Sequence, residues 1–315
     1  MLPPILRLLR PKDWVKNAFV LVPPVFWLAG QGRGAEAEQV NALLVGTALA
    51  VAAFCLAGSG FYAINDALDA DEDRQHPIKR RRPVASGQVT AKTAIILGCV
   101  LLAASAGVAA LAGNGVLAVI VMYLALQAAY NIRLKRVLFV DVATVATGFV
   151  LRAVAGACVL TAPVSVWLVV VVFTLTLFLG FVKRLADLRV AERAREAGER
   201  ITWKPRAGYE SDNELNWLLA LTGTCTVLAY LMYALSSHAR EIFGVRAVGF
   251  ALLTPFVLVV IHRLYSRANK GLSENPVEVL KEDRSAATAA VLFIAGVLVF
   301  LYWPPAAQLV GRVFQ

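Results

Sequence analysis

Charged side chains are scarce in this chain, and one long stretch has none. Only 17% of the 315 residues are charged, whereas 59% are hydrophobic. Residues 93–132 contain no Asp, Glu, Lys or Arg. A segment of that length is enough for two bilayer spans of about 20 residues each. The scarcity of charge excludes a soluble globular protein and indicates an integral membrane protein.

Reactive and metal-binding side chains are also few. The four cysteines, Cys55, Cys99, Cys158 and Cys225, lie in apolar segments without metal-ligand spacing, so we interpret them as packing residues. The chain has only three histidines, and no Ser-His-Asp set or reactive cysteine is evident. Chemistry through a protein nucleophile is therefore not expected. The sequence also shows no signal-peptide pattern, internal repeat or low-complexity segment.

Nine apolar segments are candidate transmembrane helices. They lie near residues 17–30, 41–64, 93–112, 115–132, 138–160, 164–184, 215–236, 246–263 and 286–303. The first is short and contains Pro23-Pro24, which predicts a kinked or broken helix. Gly113-Asn114-Gly115 predicts a tight turn between the third and the fourth. We therefore predict an all-α integral membrane protein with one domain over residues 1–315.

The basic residues predict how the chain is oriented in the membrane. With the N-terminus in the cytoplasm, all but five of the 31 Lys and Arg residues face the cytoplasm. The five are Arg33, Arg240, Arg246 and Arg312 in outer loops and Arg152 within a span. This topology places the C-terminus outside the plasma (inner) membrane. Anionic lipid headgroups and phosphorylated substrates explain the net charge of +10, which requires no nucleic acid.

Acids and bases are concentrated between the second and third predicted spans. Residues 65–83 read NDALDADEDRQHPIKRRRP. On a helix, Asn65, Asp66, Asp69 and Asp73 fall within an arc of about 100°. Carboxylates this close repel one another unless a cation lies among them, and oxygen ligands suit Mg²⁺, which takes further ligands from substrate phosphates. The Lys-Arg-Arg-Arg run that follows is suited to bind those phosphates, and the alternative is a solvated surface loop.

A second cytoplasmic loop lies between the fourth and fifth predicted spans. Its bases, Arg133, Lys135 and Arg136, follow Tyr130 at the membrane surface. They are either an orientation signal beside an interfacial aromatic residue or contacts to phosphate.

A third charged segment follows the sixth predicted span. Lys183 and Asp187 are four residues apart and share one helical face. They form either an ordinary intrahelical ion pair or part of a substrate site at the mouth of the bundle. The polar segment 191–212 that follows is a lid or a passive connector.

Two charged residues lie in the fifth predicted span. Asp141 is near its cytoplasmic end, and Arg152 lies about 16 Å deeper on the face that also carries Gly148. An arginine at that depth costs at least a few kcal/mol if it faces lipid. Arg152 therefore requires a carboxylate, carbonyl groups or a wet cavity, and a structural partner and a substrate contact are both open.

These patterns resemble the UbiA-type superfamily of intramembrane prenyltransferases. The first motif of that superfamily, NDxxDxxxD, is matched in full at residues 65–73. The second motif, DxxxD, is matched only at Asp187, because Lys183 stands in place of the first acid. The resemblance implies nine transmembrane helices around a central cavity that opens to the cytoplasm. It also implies a divalent cofactor, Mg²⁺ with Mn²⁺ as the alternative.

A narrower branch, the decaprenyl-phosphate phosphoribosyltransferases, is more similar. The matches are Arg10-Pro11-x-x-Trp14-Val15-Lys16-Asn17, Asp73-Arg74-x-His76-Pro77-x-Lys79-Arg80-x-Arg82-Pro83, Leu151-Arg152-Ala153-x-Ala155-Gly156 and Lys183-Arg184-x-Ala186-Asp187-Leu188. Phosphoribosyl pyrophosphate carries a diphosphate and a separate 5-phosphate, so it requires more cations than a prenyl diphosphate. The exchange of a carboxylate for Lys183 changes the charge in that direction.

The resemblance implies a reaction and the residues that perform it. The reaction is transfer of 5-phosphoribose from phosphoribosyl pyrophosphate to polyprenyl (decaprenyl) phosphate, with release of pyrophosphate, for arabinose-type cell-wall glycan synthesis. The implied catalytic residues are Asp66, Asp69, Asp73 and Asp187, and Asn65 joins the first three as a metal ligand. The implied substrate-binding residues are Lys16, Asn17, Asn65, Arg74, Lys79, Arg80, Arg82, Tyr130, Arg133, Lys135, Arg152, Lys183 and Arg184. Membrane lipids surround the chain, and the resemblance is compatible with a homo-oligomer.

Two other functions are open from the sequence. Prenyl transfer from a polyprenyl diphosphate to an aromatic acceptor, as in quinone biosynthesis, would require a second acidic cluster, which is missing here. A transporter or lipid-binding protein would place ionisable residues at mid-membrane, where only Arg152 lies. We therefore favour phosphoribosyl transfer.

Overall fold

The computed structural model describes most of the chain. The described residues are 3–75, 79–160, 165–196, 198, 208–209, 211–272 and 276–313. Within these ranges every regular element is a helix and no strand is present. The predicted all-α fold is confirmed.

Fifteen α-helices follow one another along the described parts of the chain. They are α1 Pro4–Leu8, α2 Val22–Gly30, α3 Ala37–Leu68, α4 Ala70–Gln75, α5 Ala91–Ala112, α6 Asn114–Ile132, α7 Val140–Val159, α8 Val166–Glu196, α9 Asp212–Leu235, α10 Ser237–Phe243, α11 Arg246–Leu252, α12 Thr254–Asn269, α13 Pro276–Glu282, α14 Arg284–Tyr302 and α15 Pro304–Val313. Short 3-10 helices at Pro11–Leu21, Gln31–Gly34, Lys79–Arg81 and Leu134–Arg136 connect some of them.

Eight helical segments among the described residues are long and apolar enough to cross a membrane. They are Ala37–Leu68, Ala91–Ala112, Asn114–Ile132, Val140–Val159, Val166–Arg193, Asp212–Leu235, Arg246–Asn269 and Arg284–Tyr302. Each corresponds to one of the last eight predicted spans. The chain is therefore a multi-pass membrane protein.

The first predicted span, at residues 17–30, does not form one long α-helix. A 3-10 helix over Pro11–Leu21 leads directly into α2, whose second and third residues are Pro23 and Pro24. Proline lacks a backbone N–H and is tolerated only near a helix start. The proline pair therefore separates the two helices, as the sequence predicted, and the count of nine spans is not confirmed.

The chain divides into two compact units. The first comprises Met1–Phe26, Ala35–Lys135 and Gly148–Val164, and the second comprises Trp27–Gly34, Arg136–Thr147 and Ser165–Gln315. In the second unit, α8 packs on α9 around Phe178, Phe181, Leu185 and Leu219, all of which are buried.

In the first unit, α3 packs against α5 at two glycines. A Cβ atom on Gly98 would lie 2.5 Å from Cγ1 of Ile64 and 2.9 Å from the carbonyl oxygen of Gly60. Small residues at such a crossing allow two helix backbones to approach closely. The buried Phe54 and Tyr123 pack edge to face nearby in the core of this unit.

A single glycine makes the turn between α5 and α6. Gly113 has a φ of 123°, which side chains on L-residues rarely allow, and it alone separates the two helices. The predicted turn at residues 113–115 is confirmed in place and is shorter than expected.

Candidate functional site

The acids of the first motif lie at a junction between two helices. α3 ends at Leu68 and α4 begins at Ala70. The sequence analysis placed the whole motif on one helix, whereas in the structure Asp69 separates two helices. The backbone N–H groups of Asp69 and Asp73 still donate to the carbonyl oxygens four residues earlier, both at 2.9 Å. The helical direction therefore continues through the junction, and the motif acids keep roughly their expected spacing.

Two motif carboxylates converge on one arginine. Nη1 of Arg82 lies 2.7 Å from Oδ2 of Asp73 and 3.3 Å from Oδ1 of Asp66. Both carboxylates are nearly fully buried, with Asp66 1% exposed and Asp73 4% exposed. Buried carboxylates must be paired with a cation. Arg82, which belongs to the same unit as both acids, provides the positive charge.

Arg10 is a second base at the same acids. Its guanidinium donates to Oδ1 of Asp66 and stacks over the ring of Tyr62, 4.5 Å from the ring centre. The backbone of Arg10 has a φ of 50°, a left-handed conformation that costs a non-glycine residue about 1–3 kcal/mol. Strained residues cluster at functional sites, and this strain places a guanidinium directly on a motif carboxylate. Arg10 belongs to the first matched segment of the sequence but was not predicted as a site residue.

Asp69, the third motif carboxylate, and Lys16, a predicted substrate-binding residue, have other partners. Nζ of Lys135 lies 3.3 Å from Oδ1 of Asp69, which brings the second predicted loop to the first motif. Nζ of Lys16 lies 2.6 Å from Oδ1 of Asp13 and 3.4 Å from the hydroxyl of Tyr62. The first unit therefore gathers bases from three separate segments around the motif acids.

The side-chain oxygens of the first-motif residues are of the kind that bind a divalent metal ion. Among the residues that the structure describes, no three acidic, Cys or His side chains converge closely enough to hold an ion by themselves. Two carboxylates do converge, and the shared Arg82 nitrogen shows that a positive charge is accommodated between them. Mg²⁺ is commonly held by one or two carboxylates, with substrate phosphates and waters as the remaining ligands.

The other bases predicted to bind phosphate lie at the surface of the first unit. Arg74 pairs with its neighbour Asp71, while Arg80 and Arg133 are exposed. Lys79 and Tyr130 are half-buried. His76 and Pro77 of the matched segment lie outside the described residues.

Arg152 is enclosed by groups of the first unit. Its Nε donates to Oδ1 of Asn17 at 2.8 Å, Nη1 to the carbonyl oxygen of Gly148 at 2.8 Å and Nη2 to the hydroxyl of Tyr123 at 3.0 Å. The rings of Phe54, Tyr123 and Phe149 lie within 5.3 Å of the guanidinium carbon. Each guanidinium nitrogen already has a protein acceptor, so the geometry favours the structural alternative for Arg152. Asn17 belongs to the same cage.

In the second unit, three predicted site residues on α8, Lys183, Arg184 and Asp187, form an arm. This arm is hydrogen-bonded to Asp141 near the start of α7. Nε and Nη2 of Arg184 lie 3.0 and 2.8 Å from Oδ2 of Asp141, and Nη1 lies 3.4 Å from Oδ2 of Asp187. Asp141 is fully buried, whereas Lys183 is exposed. Arg184 therefore bridges two acids, and Lys183 is the base of this arm that faces outward.

Tyr209 completes this network and was missed by the sequence analysis. Its hydroxyl donates to Oδ1 of Asp141 at 2.8 Å and accepts the N–H of Phe139 at 2.9 Å. Burial, followed by the bond to Asp141, raises the pKa of this hydroxyl, so Tyr209 stays neutral. No local pattern marks Tyr209, because its partner lies 68 residues earlier in the chain. Half of the segment predicted as a lid or connector, including 199–207, lies outside the described residues.

Comparisons with known proteins give one consistent family. Residues 19–274 match the UbiA prenyltransferase family. Decaprenyl-phosphate phosphoribosyltransferase from Mycolicibacterium smegmatis is 32% identical over 92% of this chain and 89% of its own length. The protein of the same name from Mycobacterium tuberculosis is 33% identical over 93% of this chain and 92% of its own length.

A solved structure shares the fold. A UbiA homolog from Archaeoglobus fulgidus, bound to DMAPP and Mg²⁺, superposes with a TM-score of 0.65 over 94% of this chain and 99% of its own. The two sequences are 19% identical. Structures of UbiA homologs from this archaeon have been solved with Mg²⁺ and with Cd²⁺, so divalent ions bind within the family.

Proposed function

Because this chain belongs to the UbiA prenyltransferase family, we propose that it transfers the 5-phosphoribosyl group of phosphoribosyl pyrophosphate to a polyprenyl phosphate, such as decaprenyl phosphate. The observation that carries this proposal is the convergence of two buried carboxylates, Asp66 and Asp73, on Arg82, with Arg10 beside them. The names of the relatives give the transferred phosphoribosyl group and the acceptor, and the sequence resemblance implies phosphoribosyl pyrophosphate as the donor. The expected product feeds the synthesis of arabinan precursors for the cell wall.

The proposed donor site contains both acids and bases because the donor carries several phosphates. Asn65, Asp66, Asp69 and Asp73 hold Mg²⁺, which neutralises the charge that builds on the departing pyrophosphate. The bases that bind the phosphates of the donor are Arg82 with Lys79, Arg80, Arg74, Arg133 and Lys135. Arg10 joins this set because it already contacts Asp66. Each charge-assisted contact to phosphate contributes about 1.5–3 kcal/mol.

Catalysis rests on positioning and electrostatics. An oxygen of the lipid phosphate attacks the anomeric carbon as the bond from that carbon to pyrophosphate breaks, and a direct displacement inverts the configuration there. The acceptor oxygen is anionic near neutral pH, so the step needs no strong general base. The anomeric carbon gains oxocarbenium character, and fixed charges beside the leaving group stabilise this state.

Four further predicted residues, Lys16, Lys183, Arg184 and Asp187, have a place in the proposal. Lys16, which lies in the middle of the 3-10 helix Pro11–Leu21 and near Tyr62, binds the phosphate of the acceptor lipid. Lys183, Arg184 and Asp187 are assigned to the same reaction by sequence resemblance. The chain acts as a single domain with its N-terminus and loops 65–90 and 133–139 in the cytoplasm.

A transfer assay tests this function. Purified protein is incubated with Mg²⁺, labelled phosphoribosyl pyrophosphate and decaprenyl phosphate, and the lipid is extracted into organic solvent. We expect label in the organic phase only when protein, metal and lipid phosphate are all present. Label that stays in water, together with prenyl transfer to an aromatic acid by the same preparation, would replace this proposal with aromatic prenyl transfer.

A further inference from the structure

A surface groove on the second unit lies between α12 and α14, and none of the residues that line it is assigned to the reaction. It has a volume of about 370 Å³. Arg284, Ser285 and Thr288 lie at one end, and Phe256, Val259 and Leu292 form much of the rest. The groove is therefore polar and cationic at one end and apolar along its length.

The depth of the groove follows from α14. This helix has 19 residues, which corresponds to about 28 Å and matches the hydrocarbon core of a bilayer. Arg284 is its first residue and therefore lies at the level of the lipid headgroups. Leu292, eight residues further along, lies about 12 Å deeper.

An ion pair fixes how α12 runs beside α14. Nη2 of Arg263 lies 2.6 Å from Oδ2 of Asp283, so this part of α12 is level with the start of α14. Val259 and Phe256 precede Arg263 by about one and two turns and extend along α14 into the membrane. The apolar walls of the groove therefore continue inward from Arg284.

Arg284 carries an uncompensated charge among the residues that the structure describes. The acids that precede it are already neutralised, because Asp283 pairs with Arg263 and Glu282 pairs with Arg267. Asp283 also accepts the N–H of Ala286 as the cap of α14. The hydrogen bond from Arg263 lowers the pKa of Asp283, so Asp283 stays ionised and keeps its ion pair with Arg263. Within the described ranges, the side chain of Arg284 itself has no hydrogen bond or ion pair, and it is exposed.

We propose that this groove binds one anionic glycerophospholipid of the surrounding bilayer. Its phosphate diester contacts the guanidinium of Arg284 and the hydroxyls of Ser285 and Thr288, and one acyl chain lies between α12 and α14. The charges favour a diester with one negative charge, because a phosphate monoester is closer to two and the neighbouring arginines are occupied. The groove extends about 12 Å inward from the headgroup level. This length suits the part of one acyl chain that is nearest its headgroup, because a whole chain spans half of the hydrocarbon core.

Native mass spectrometry of the detergent-purified protein tests the proposal. The probe is an equimolar mixture of dioleoyl phosphatidylglycerol and dioleoyl phosphatidylcholine. Wild type is expected to retain one phosphatidylglycerol in preference to phosphatidylcholine, and Arg284→Gln to reduce that preference about tenfold or more. Arg312→Gln, which removes an exposed arginine from α15, serves as the matched control and keeps the preference.

A second variant fills the groove without changing its charge. Thr288 is exposed on α14, so Thr288→Trp is expected to fold and to fill the groove, and retention of the lipid should fall as well. An unchanged preference in Arg284→Gln, or unchanged retention of phosphatidylglycerol in Thr288→Trp, would overturn the proposal. Displacement of phosphatidylglycerol by an equal concentration of decaprenyl phosphate would also overturn it, because the occupant would then be a monoester lipid.

Discussion

At the scale of single residues, the motif acids are compensated by bases within their own unit. Arg10, Arg82 and Lys135 each contact a motif carboxylate, and the first two reach a carboxylate that is almost fully buried. The sequence predicted the acids because their spacing is local. It could not predict which base contacts which acid, because those pairs join segments that are far apart in the chain.

Replacement of Asp73 by Asn should abolish most of the transfer activity. The change removes a charge from the pair of carboxylates that converge on Arg82 and leaves the size of the side chain unchanged. We expect kcat to fall by about 100-fold or more, as for the loss of one major electrostatic contact to a transition state. Initial rates at saturating donor and Mg²⁺ measure the effect, and Asp69→Asn is expected to behave in the same way.

Asp71 offers a matched control for the previous change. It lies two residues from Asp73 on the same helix, its side chain is 91% exposed, and its one ion pair among the described residues is with Arg74. Asp71→Asn should retain nearly the full rate. Wild-type rates in Asp69→Asn and Asp73→Asn, with thermal stability unchanged, would show that the motif carboxylates do not bind metal.

Tyr209 is expected to act as a positioning residue for the arm on α8. In Tyr209→Phe the N–H of Phe139 loses its acceptor and Asp141 loses a donor, so the hold on Arg184 weakens. We expect KM for phosphoribosyl pyrophosphate to rise several-fold with a smaller change in kcat. Steady-state kinetics with donor concentration varied gives both parameters.

Tyr265→Phe separates positioning from general stability. Its hydroxyl donates to Oδ1 of Asn216 at 2.9 Å in the same unit and takes no part in the hydrogen bonds of Asp141 and Arg184. Each lost hydrogen bond lowers stability by about 1 kcal/mol, so we expect a loss of about 1 kcal/mol in Tyr265→Phe and about 2 kcal/mol in Tyr209→Phe. Equal KM values in the two variants would assign Tyr209 to stability alone.

At the scale of helices, most of the architecture could be predicted from the sequence. Runs of apolar residues determined eight spans, because a membrane helix must satisfy its own backbone hydrogen bonds and needs about 20 residues. The helix boundary at Asp69 could not be predicted, because the backbone hydrogen bonds continue across it and the local residues favour no break. The sequence predicted that Arg152 needs polar partners, but it could not predict which ones, since they come from three different segments.

The close contact between α3 and α5 should be sensitive to a single methyl group. In Gly98→Ala the new Cβ would lie 2.9 Å from the carbonyl oxygen of Gly60, so the two helices must move apart. We expect a loss of stability of about 1–3 kcal/mol, measured by thermal unfolding in detergent. Gly107→Ala on the same helix meets no atom within 4 Å and should be neutral or slightly stabilising. Equal unfolding temperatures would show that α3 and α5 do not pack closely at Gly98.

At the scale of the whole molecule, the distribution of basic residues predicts which side of the membrane each loop occupies. Ser86, after the first motif, and Ser237, the first residue of α10, are both exposed and are predicted to lie on opposite sides. A membrane-impermeant thiol reagent on intact cells should label Ser237→Cys, and should label Ser86→Cys only after lysis. The reverse pattern would invert the proposed orientation and place the motif acids outside the cell.

The central claim is that a divalent ion held by the first-motif acids binds the diphosphate of a soluble sugar donor. Anomalous diffraction, or an equivalent density map, of the protein with Mn²⁺ and phosphoribosyl pyrophosphate tests this claim most directly. We predict a metal peak against Asp66 and Asp73 with the donor diphosphate beside it and a base such as Arg82 on phosphate. A donor bound elsewhere, or a metal peak away from these two carboxylates, would contradict the account.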